Sequence, residues 1–257
     1  MRQRLTQFFL IAALLPVVLE GRTYGQEWMQ ASAPEGRVIR MAVFRPQGGG
    51  PFPTVVVLHG TSGFLKTHME LAKYFAENGF VGVAACWFGG HFRGGRNPRP
   101  ARYADGIDCP DGPDLKQPGR DSAGVAEDLR ALISAVQKLP AVRAERVALF
   151  GHSRGSAASL VAASNGIPVQ AVVAVAGYLP MFANGLQAPV LILQGTADDQ
   201  TDAQEARGFE RKVRDLGKPV EAHYYDNAPH DIPWLAPWQD DVRRRSIEFF
   251  KKYLAGN

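Results

Sequence analysis

The chain has 257 residues, of which 46% are hydrophobic and 21% charged, and its formal net charge is +4. This length suits a single α/β domain with a sizeable core, and the composition excludes a disordered, collagen-like or coiled-coil protein. Nucleic-acid binding has little support, because the sequence contains no lysine-rich stripe and no recognition-helix pattern.

The first residues have the pattern of a secretory signal peptide. Arg2 and Arg4 precede an apolar run over residues 8–19, and small residues follow at a cleavage position. The run is shorter than the ~20 residues that span a bilayer, so we predict cleavage rather than a membrane anchor. Residues 1–25 are expected to be removed, which leaves residues 26–257 as an exported, periplasmic or secreted, catalytic domain that is not bound to a membrane.

An exported protein can keep disulfide bonds. The chain contains two cysteines, Cys86 and Cys109. An even number of cysteines permits a bridge between them, and two unpaired thiols, with Cys86 buried at a strand end, are the alternative.

Predicted strands and helices alternate along most of the chain. The predicted strands are 37–46, 54–60, 80–88, 146–151, 169–178, 189–195 and 220–226, and the predicted helices are 66–79, 121–139, 156–164, 202–217 and 239–254. Continuous apolar strands indicate a parallel sheet that is covered on both faces. We therefore predict an α/β fold, a three-layer α/β/α sandwich with a mostly parallel, doubly wound sheet and no separate cap domain.

A long irregular stretch, residues 89–119, interrupts this alternation. Loops of this length are usually functional or mobile. The stretch contains four arginines, which either attract an anionic substrate or belong to an ordinary solvated loop: Arg93, Arg96, Arg99 and Arg102.

The segment GHSRG, residues 151–155, matches the pattern G-x-S-x-G between a predicted strand and a predicted helix. A serine on such a tight turn projects its oxygen above the sheet, and the flanking glycines leave room for the neighbouring backbone. The N terminus of the following helix directs N–H groups toward negative charge. The pattern predicts that Ser153 is a nucleophile; the alternative is a serine that caps the helix.

A serine hydroxyl needs a base to accept its proton, and the base needs a carboxylate to orient it. Of the six histidines, we predict His230 as the base, because it follows the last predicted strand; a histidine that only packs in the loop is the alternative. The carboxylate is expected from the segment after strand 189–195. Asp198 is the first choice, Asp199 the second, and Asp202 fits a helix N-cap.

An acyl-transfer reaction also needs donors for the oxyanion and a wall for the substrate. We predict the N–H groups of Arg154 and Thr61 as donors, the loop of Thr61 being otherwise an ordinary turn. Four aromatic residues near strand ends either line a substrate pocket or belong to the core: Trp87, Phe88, Tyr178 and Trp234. No metal or cofactor is expected, because metal-ligand spacings and a dinucleotide fingerprint are absent from the sequence.

The motifs LHGTSG, GHSRG, GTAD and APH together resemble the α/β-hydrolase fold and, within it, the dienelactone hydrolase family, over about residues 37–254. The resemblance implies that Ser153, Asp198 and His230 are nucleophile, acid and base. The best-known members of that family use cysteine as nucleophile, so serine at this position favours ordinary ester hydrolysis.

We therefore expect a serine hydrolase that cleaves small-molecule carboxylic esters through an acyl-enzyme intermediate. The alternatives are a peptidase of the prolyl-oligopeptidase type and a catalytically silent binding protein on the same fold. The sequence does not specify the acyl or alcohol preference, nor the oligomeric state.

Overall fold

The computed structural model describes residues 25–88, 122–178 and 183–255. The strands are β1 Gln26–Ser32, β2 Val38–Phe44, β3 Phe52–Leu58, β4 Val81–Cys86, β5 Val142–His152, β6 Val172–Val175, β7 Val190–Gly195 and β8 Val220–Tyr225. The helices are α1 Lys66–Glu77, α2 Ser122–Val136, α3 Arg154–Ser164, α4 Ala203–Asp215 and α5 Gln239–Leu254. None of the helices in these ranges is long and apolar enough to cross a lipid bilayer.

All eight strands form one sheet in the order β1-β2-β4-β3-β5-β6-β7-β8. The pairs β1–β2 and β2–β4 are antiparallel, and every pair from β4 through β3 and β5 to β8 is parallel. The predicted mostly parallel α/β architecture is confirmed. Because the parallel strands run in one direction, the turns that follow β3, β5, β6, β7 and β8 lie at the same edge of the sheet.

Helices cover both faces of the sheet and bury two apolar clusters. Phe75 of α1 and Phe250 of α5 belong to the cluster on one face, and Leu132 of α2, Leu160 of α3 and Phe209 of α4 belong to the cluster on the other. Burial of each such side chain stabilises the fold by about 1.5–3 kcal/mol. The two clusters make a three-layer sandwich that holds the strand ends in fixed positions.

The described residues include one strand that the sequence did not predict. β1 pairs with β2 along its whole length, from Gln26 opposite Phe44 to Ser32 opposite Val38. It lies at the edge of the sheet and most of its residues are exposed. An edge strand with few buried positions lacks the apolar run by which the central strands were recognised.

Several sequence predictions concern residues beyond the described ranges. Residues 1–24, which include nearly all of the predicted signal peptide, and residues 89–121, which include the arginine-containing stretch, are outside them. Cys86, at the end of β4, is disulfide-bonded. This agrees with the predicted bridge, although the other cysteine of the chain, Cys109, lies outside the described residues.

Candidate active site

Ser153 occupies a sharp corner between β5, which ends at His152, and α3, which begins at Arg154. Its backbone angles are φ 56° and ψ −120°, a conformation that costs a non-glycine residue about 1–3 kcal/mol. A Cβ atom at Gly151 would lie 2.2 Å from the carbonyl oxygen of Gly155. The turn can therefore close only because this position has no side chain, which is the reason the sequence pattern suggested.

Two neighbouring loops enclose this corner. A Cβ atom at Gly177, after β6, would lie 2.1 Å from the carbonyl oxygen of Ser153. A Cβ atom at Gly60, after β3, would lie 2.9 Å from Ser153 Cβ. The Ser153 N–H also donates to the carbonyl oxygen of Val175, 2.8 Å away. Contacts on both sides thus fix the backbone from which the hydroxyl projects.

His230 and Asp198 form a buried pair at the same edge of the sheet. Asp198 lies in the turn after β7 and His230 in the turn after β8. The His230 Nδ1 atom is 2.9 Å from both carboxylate oxygens of Asp198. The side chains are 6% and 0% exposed, respectively. A carboxylate at Nδ1 fixes the imidazole tautomer and leaves the Nε2 lone pair free to accept a proton.

The environment of Asp198 favours its ionised form. Burial alone would raise the pKa of this carboxyl, but hydrogen bonds from His230 and from the backbone N–H groups of Thr201 and Gln200 outweigh burial, and the pKa is lower than usual. Both backbone N–H groups donate to Oδ1 at 2.9 Å. Asp198 is therefore an anion held in one orientation at neutral pH.

The two other candidate carboxylates have different surroundings. Asp199 is exposed. Asp202 caps α4, since its carboxylate accepts a hydrogen bond from the Gln204 N–H at 2.8 Å. Among the three aspartates considered from the sequence, Asp198 is the one that contacts His230.

His152 connects the serine corner to the His230 loop, a role that the sequence analysis did not foresee. Its Nε2 atom is 3.1 Å from the carbonyl oxygen of His230, and the two rings lie 4.9 Å apart. Burial is the main reason that the pKa of His152 is lowered to about 4. The ring is therefore neutral at pH 7, and its Nε2–H donates to the carbonyl. Its position directly before Ser153 was the one signal available in the sequence.

Ser153 and His230 are linked through His152 and have no hydrogen bond of their own among the described residues. In the described part of the chain, His230 makes hydrogen bonds to Asp198 and His152 and makes none to the Ser153 hydroxyl. Contacts between a nucleophile and its base are often long before a substrate binds and shorten in the complex. The structure therefore places the His230 imidazole, with its partner Asp198, beside His152, the residue that precedes Ser153.

The two predicted oxyanion donors lie on either side of Ser153. Arg154 is the first residue of α3, where backbone N–H groups have no acceptor within the helix. Thr61 lies in the turn after β3, directly after the glycine that approaches Ser153. The Arg154 guanidinium lies 5.0 Å from the Phe88 ring centroid, and partial burial lowers its pKa.

The four aromatic candidates differ in their surroundings. Tyr178 is buried, its hydroxyl bonds to the backbone of β6 and β7, and its ring stacks on Phe209 at 6.0 Å, which favours the core interpretation. Trp87 is buried and donates to the His59 carbonyl oxygen. Phe88 and Trp234 lie nearer the candidate site.

Phe88 and Trp234 border a set of buried histidines. Phe88 is 2% exposed, stacks on His59 at 4.6 Å and lies beneath Arg154, which favours the core interpretation for this residue. Trp234 is partly buried and contacts the edges of His68 and His152, at 4.9 and 5.9 Å. Burial is the main cause that lowers the pKa of His59 to about 4 and the pKa of His68 well below its usual value. These histidines are therefore neutral at pH 7.

Three of the described side chains have donor atoms close enough to be considered for a metal ion. His152, His230 and Asp231 each have one such atom within 4.8 Å of the others. A tetrahedral zinc ion with imidazole ligands holds its donors about 3.4 Å apart. The two imidazoles of this set make the protein contacts described above.

A doubly wound sheet with a serine on a strained strand-to-helix corner defines a protein of the α/β-hydrolase fold. Within this class, the chain belongs to the dienelactone hydrolase family, whose family model matches residues 39–253. That match includes Ser153, Asp198 and His230.

Solved structures with the same fold have different activities. The chain has a TM-score of 0.71 with the dienelactone hydrolase-like promiscuous phosphotriesterase P91 from metagenomic libraries, at 19% identity over 90% of this chain and 99% of that one. Its TM-score is 0.70 with the esterase Pf2001 of Pyrococcus furiosus, at 15% identity over 93% and 99%. It is 0.72 with the acylaminoacyl peptidase of Pyrococcus horikoshii, at 16% identity over 91% of this chain and 42% of that one.

A sequence relative matches over a shorter segment. The uncharacterized peptidase YtmA of Bacillus subtilis (strain 168) is 40% identical over 50 residues. The match spans 20% of each chain, so this chain covers about a fifth of the length of the curated relative.

Proposed function

We propose that the protein is a serine hydrolase that cleaves carboxylic esters of small molecules. Ser153 is the nucleophile, His230 the general base and Asp198 the carboxylate that orients the base. The observation that carries the proposal is the shielded contact between His230 Nδ1 and Asp198, with both oxygens at 2.9 Å, next to a serine on a strained corner. Membership of a hydrolase family supports the same reaction class.

In the proposed mechanism, the Ser153 hydroxyl oxygen attacks the ester carbonyl carbon while His230 Nε2 takes the hydroxyl proton. The Nδ1–H of the resulting imidazolium donates to Asp198. The N–H groups of Arg154 and Thr61 stabilise the oxyanion. The intermediate then breaks the bond to the alcohol, which leaves with the proton from His230. A water molecule attacks the acyl-enzyme through the same steps in reverse, which releases the acid and restores Ser153.

We further propose that the substrate lies against Trp234, on the side of the site that carries the Arg154 guanidinium. Trp234 is partly buried and contacts His152, the residue before Ser153, and Arg154 directly follows Ser153. An apolar wall with one cation near the nucleophile is typical of sites for small organic esters.

Export of the mature chain is also part of the proposal. The charged and apolar pattern of residues 1–25 supports it. The disulfide at Cys86 supports it independently, because structural disulfides persist mainly in oxidising compartments. Export can be tested by expressing the full sequence in a bacterium and analysing the periplasmic and cytoplasmic fractions separately. The mature chain, beginning near residue 26, is expected in the periplasm or the medium.

Peptide-bond cleavage is the second candidate function. The relative YtmA is named as a peptidase, and the proposed residues would attack an amide by the same route. Turnover of short p-nitrophenyl esters and of aminoacyl p-nitroanilides by the same purified protein separates the two functions. We expect the ester kcat/KM to exceed the amide value by at least a hundredfold; the reverse order would favour the peptidase.

Labelling with a fluorophosphonate tests the nucleophile directly. Such a probe phosphonylates a serine whose proton a neighbouring base removes. Ser153 is expected to carry the label in the wild-type protein, and Ser153→Ala is expected to lose both the label and ester turnover. A folded wild-type protein that is not labelled would favour the silent binding protein, and turnover by Ser153→Ala would refute the mechanism.

A further inference from the structure

A fully buried glutamine lies beside the proposed carboxylate. Gln194 is the second-last residue of β7, and its exposed fraction is 0%. Its Nε2 atom is 2.9 Å from Asp198 Oδ2, 2.9 Å from the carbonyl oxygen of Gly195 and 3.1 Å from the carbonyl oxygen of Thr201. The amide nitrogen thus faces three oxygen atoms.

These neighbours fix the orientation of the amide. Each of the three oxygens is an acceptor, so the opposite orientation would place Gln194 Oε1 against three other oxygens and form no hydrogen bond. In the observed orientation, Oε1 is buried without a hydrogen-bond partner in the described part of the protein. An apolar side chain of similar length would avoid this cost, but it would remove one donor from Asp198.

Gln194 completes the set of donors around the carboxylate. Oδ1 of Asp198 accepts the backbone N–H groups of Gln200 and Thr201, and Oδ2 accepts the Gln194 amide. His230 Nδ1 is 2.9 Å from both oxygens. Donors on both oxygens restrict rotation of the carboxylate plane, which faces His230 as a result.

The same amide also couples two loops. By donating to the Thr201 carbonyl oxygen it holds the turn that follows Asp198, and the Thr201 hydroxyl donates to the carbonyl oxygen of Ala176 at 3.1 Å. Ala176 has φ 52° and precedes the glycine that packs on the Ser153 backbone. The contacts of Gln194 therefore extend from Asp198 toward the loop that supports the nucleophile.

We propose that Gln194 is a positioning residue that keeps the Asp198 carboxylate turned toward His230 Nδ1. This inference rests on the proposed function for the role of the pair in catalysis. The contact itself exists independently of that function. Gln194 touches no reacting atom in this proposal and acts through Asp198.

Two substitutions separate positioning from packing. Gln194→Met keeps the length of the side chain and removes the donor, and we expect kcat/KM for an ester to fall about tenfold, mostly in kcat, because a hydrogen bond to a charged group is lost. Gln194→Glu keeps the shape. A carboxyl group that is fully buried against the Asp198 carboxylate and two carbonyl oxygens is protonated, because burial and a neighbouring like charge both raise its pKa. Its O–H can still donate to Asp198, so kcat is expected to stay well above that of Gln194→Met.

Gln137→Met is the matched control. The Gln137 amide donates to a backbone carbonyl oxygen, that of Ala144, at 2.9 Å, and it has no contact with the Asp198 turn among its recorded hydrogen bonds. Its kcat/KM should equal that of the wild type. If Gln194→Met stays within twofold of the wild type, or if Gln194→Glu loses as much kcat as Gln194→Met, Gln194 only packs and the proposal fails.

A measurement on the wild-type protein avoids any dependence on the folding of variants. In protein labelled with ¹⁵N-glutamine, one side-chain NH₂ signal is expected at low field, because the Gln194 amide donates to a carboxylate. If every glutamine side-chain signal lies in its ordinary range, the proposal is overturned. Failure of the proposed function would be visible separately, as ester turnover that does not depend on Ser153.

Discussion

Among the histidine–aspartate pairs of the described residues, two lie in very different environments. In the inner pair, His230 Nδ1 is 2.9 Å from Asp198, and the side chains are 6% and 0% exposed. In the outer pair, His223 Nε2 is 3.9 Å from Asp241, and the side chains are 35% and 32% exposed. Identical residue types therefore form a close, shielded contact at the strand ends and a loose, solvated one beside α5.

The partners of the two carboxylates explain the difference. Asp241 shares its charge with Arg244 and Arg245 and accepts the Tyr225 hydroxyl. Asp198 accepts N–H groups from the backbone and from Gln194, and its one partner that can become cationic among its recorded bonds is His230. A carboxylate already neutralised by arginines offers little to an imidazole, whereas Asp198 is available to stabilise an imidazolium.

The largest difference between the two pairs is expected when the imidazole of each pair is removed in a separate variant. His230→Ala is expected to lower kcat for a p-nitrophenyl ester by about 10⁵-fold or more, since the proposed nucleophile loses its proposed base. His223→Ala should leave kcat within twofold of the wild type. Steady-state rates of the two variants at pH 8, with circular dichroism as a check of folding, make the comparison. Equal losses in both variants would contradict the distinction between the pairs.

Substitution of the two carboxylates should also lower kcat for the inner pair and not for the outer pair, by less than removal of the imidazole does. Asp198→Asn changes the hydrogen-bonding preference at Nδ1 and so favours the wrong imidazole tautomer, which is expected to lower kcat by about 10⁴-fold. In Asp241→Asn, kcat should remain near the wild-type value. The same ester assay measures both variants. A kcat of Asp198→Asn within tenfold of the wild type would show that the inner pair is structural.

The inner pair could be predicted from the sequence because both of its residues lie shortly after recognisable strands, a position that few residues of the chain have. Ser153, Asp198 and His230 follow buried apolar strands that are easy to recognise, and the carboxyl ends of parallel strands meet at one edge. The resemblance of the GTAD motif favours Asp198 over Asp199, but the orientation of each side chain depends on the folded turn. The cap at Asp202 was predictable because it requires only local geometry.

Other parts of the fold and site could not be predicted from patterns. β1 has mostly exposed residues, so its pairing with β2 is a tertiary contact without an apolar signal. Gln194 lies in an apolar strand, where the sequence pattern indicates burial and gives no sign of a hydrogen-bond donor. The contact of His152 with the His230 carbonyl oxygen joins residues 78 positions apart in the sequence. Tyr178 has the sequence position of a pocket residue, yet its hydroxyl is satisfied by the sheet backbone.

The outer pair should contribute to stability rather than to turnover. Burial would raise the pKa of Asp241, but hydrogen bonds from Arg245, Arg244 and Tyr225 lower it from 3.8 to about 2. A carboxyl with a lowered folded-state pKa stabilises the protein above its unfolded-state pKa, and that stabilisation is lost as the pH falls from about 4 to about 2. After a discount for solvent screening, we expect Asp241→Asn to lower the free energy of unfolding by about 1 kcal/mol at pH 7.

Urea unfolding at pH 7 and at successively lower pH measures this effect. The difference between the wild type and Asp241→Asn should be constant above pH 5 and should shrink toward zero near pH 2, if both proteins remain folded there. Arg243→Gln is a suitable control, since it changes a cation of the same helix outside the recorded bonds of Asp241. A difference that grew on acidification would have the wrong sign for a carboxyl whose pKa is lowered by folding.

Salt should produce the smallest effect and should act on the outer pair alone. Exposed charges are screened, with a Debye length of about 10 Å at 0.1 M salt and about 3 Å at 1 M, whereas shielded pairs are screened much less. Between 0.05 and 1 M NaCl, the stability difference due to Asp241→Asn should fall by about half. Over the same range of salt, the kcat of ester hydrolysis at pH 8, which in the proposed mechanism depends on the contact of His230 with Asp198, should change by less than about twofold. A larger change would mean that solvent ions reach the inner pair and that its shielding is not what distinguishes it from the outer one.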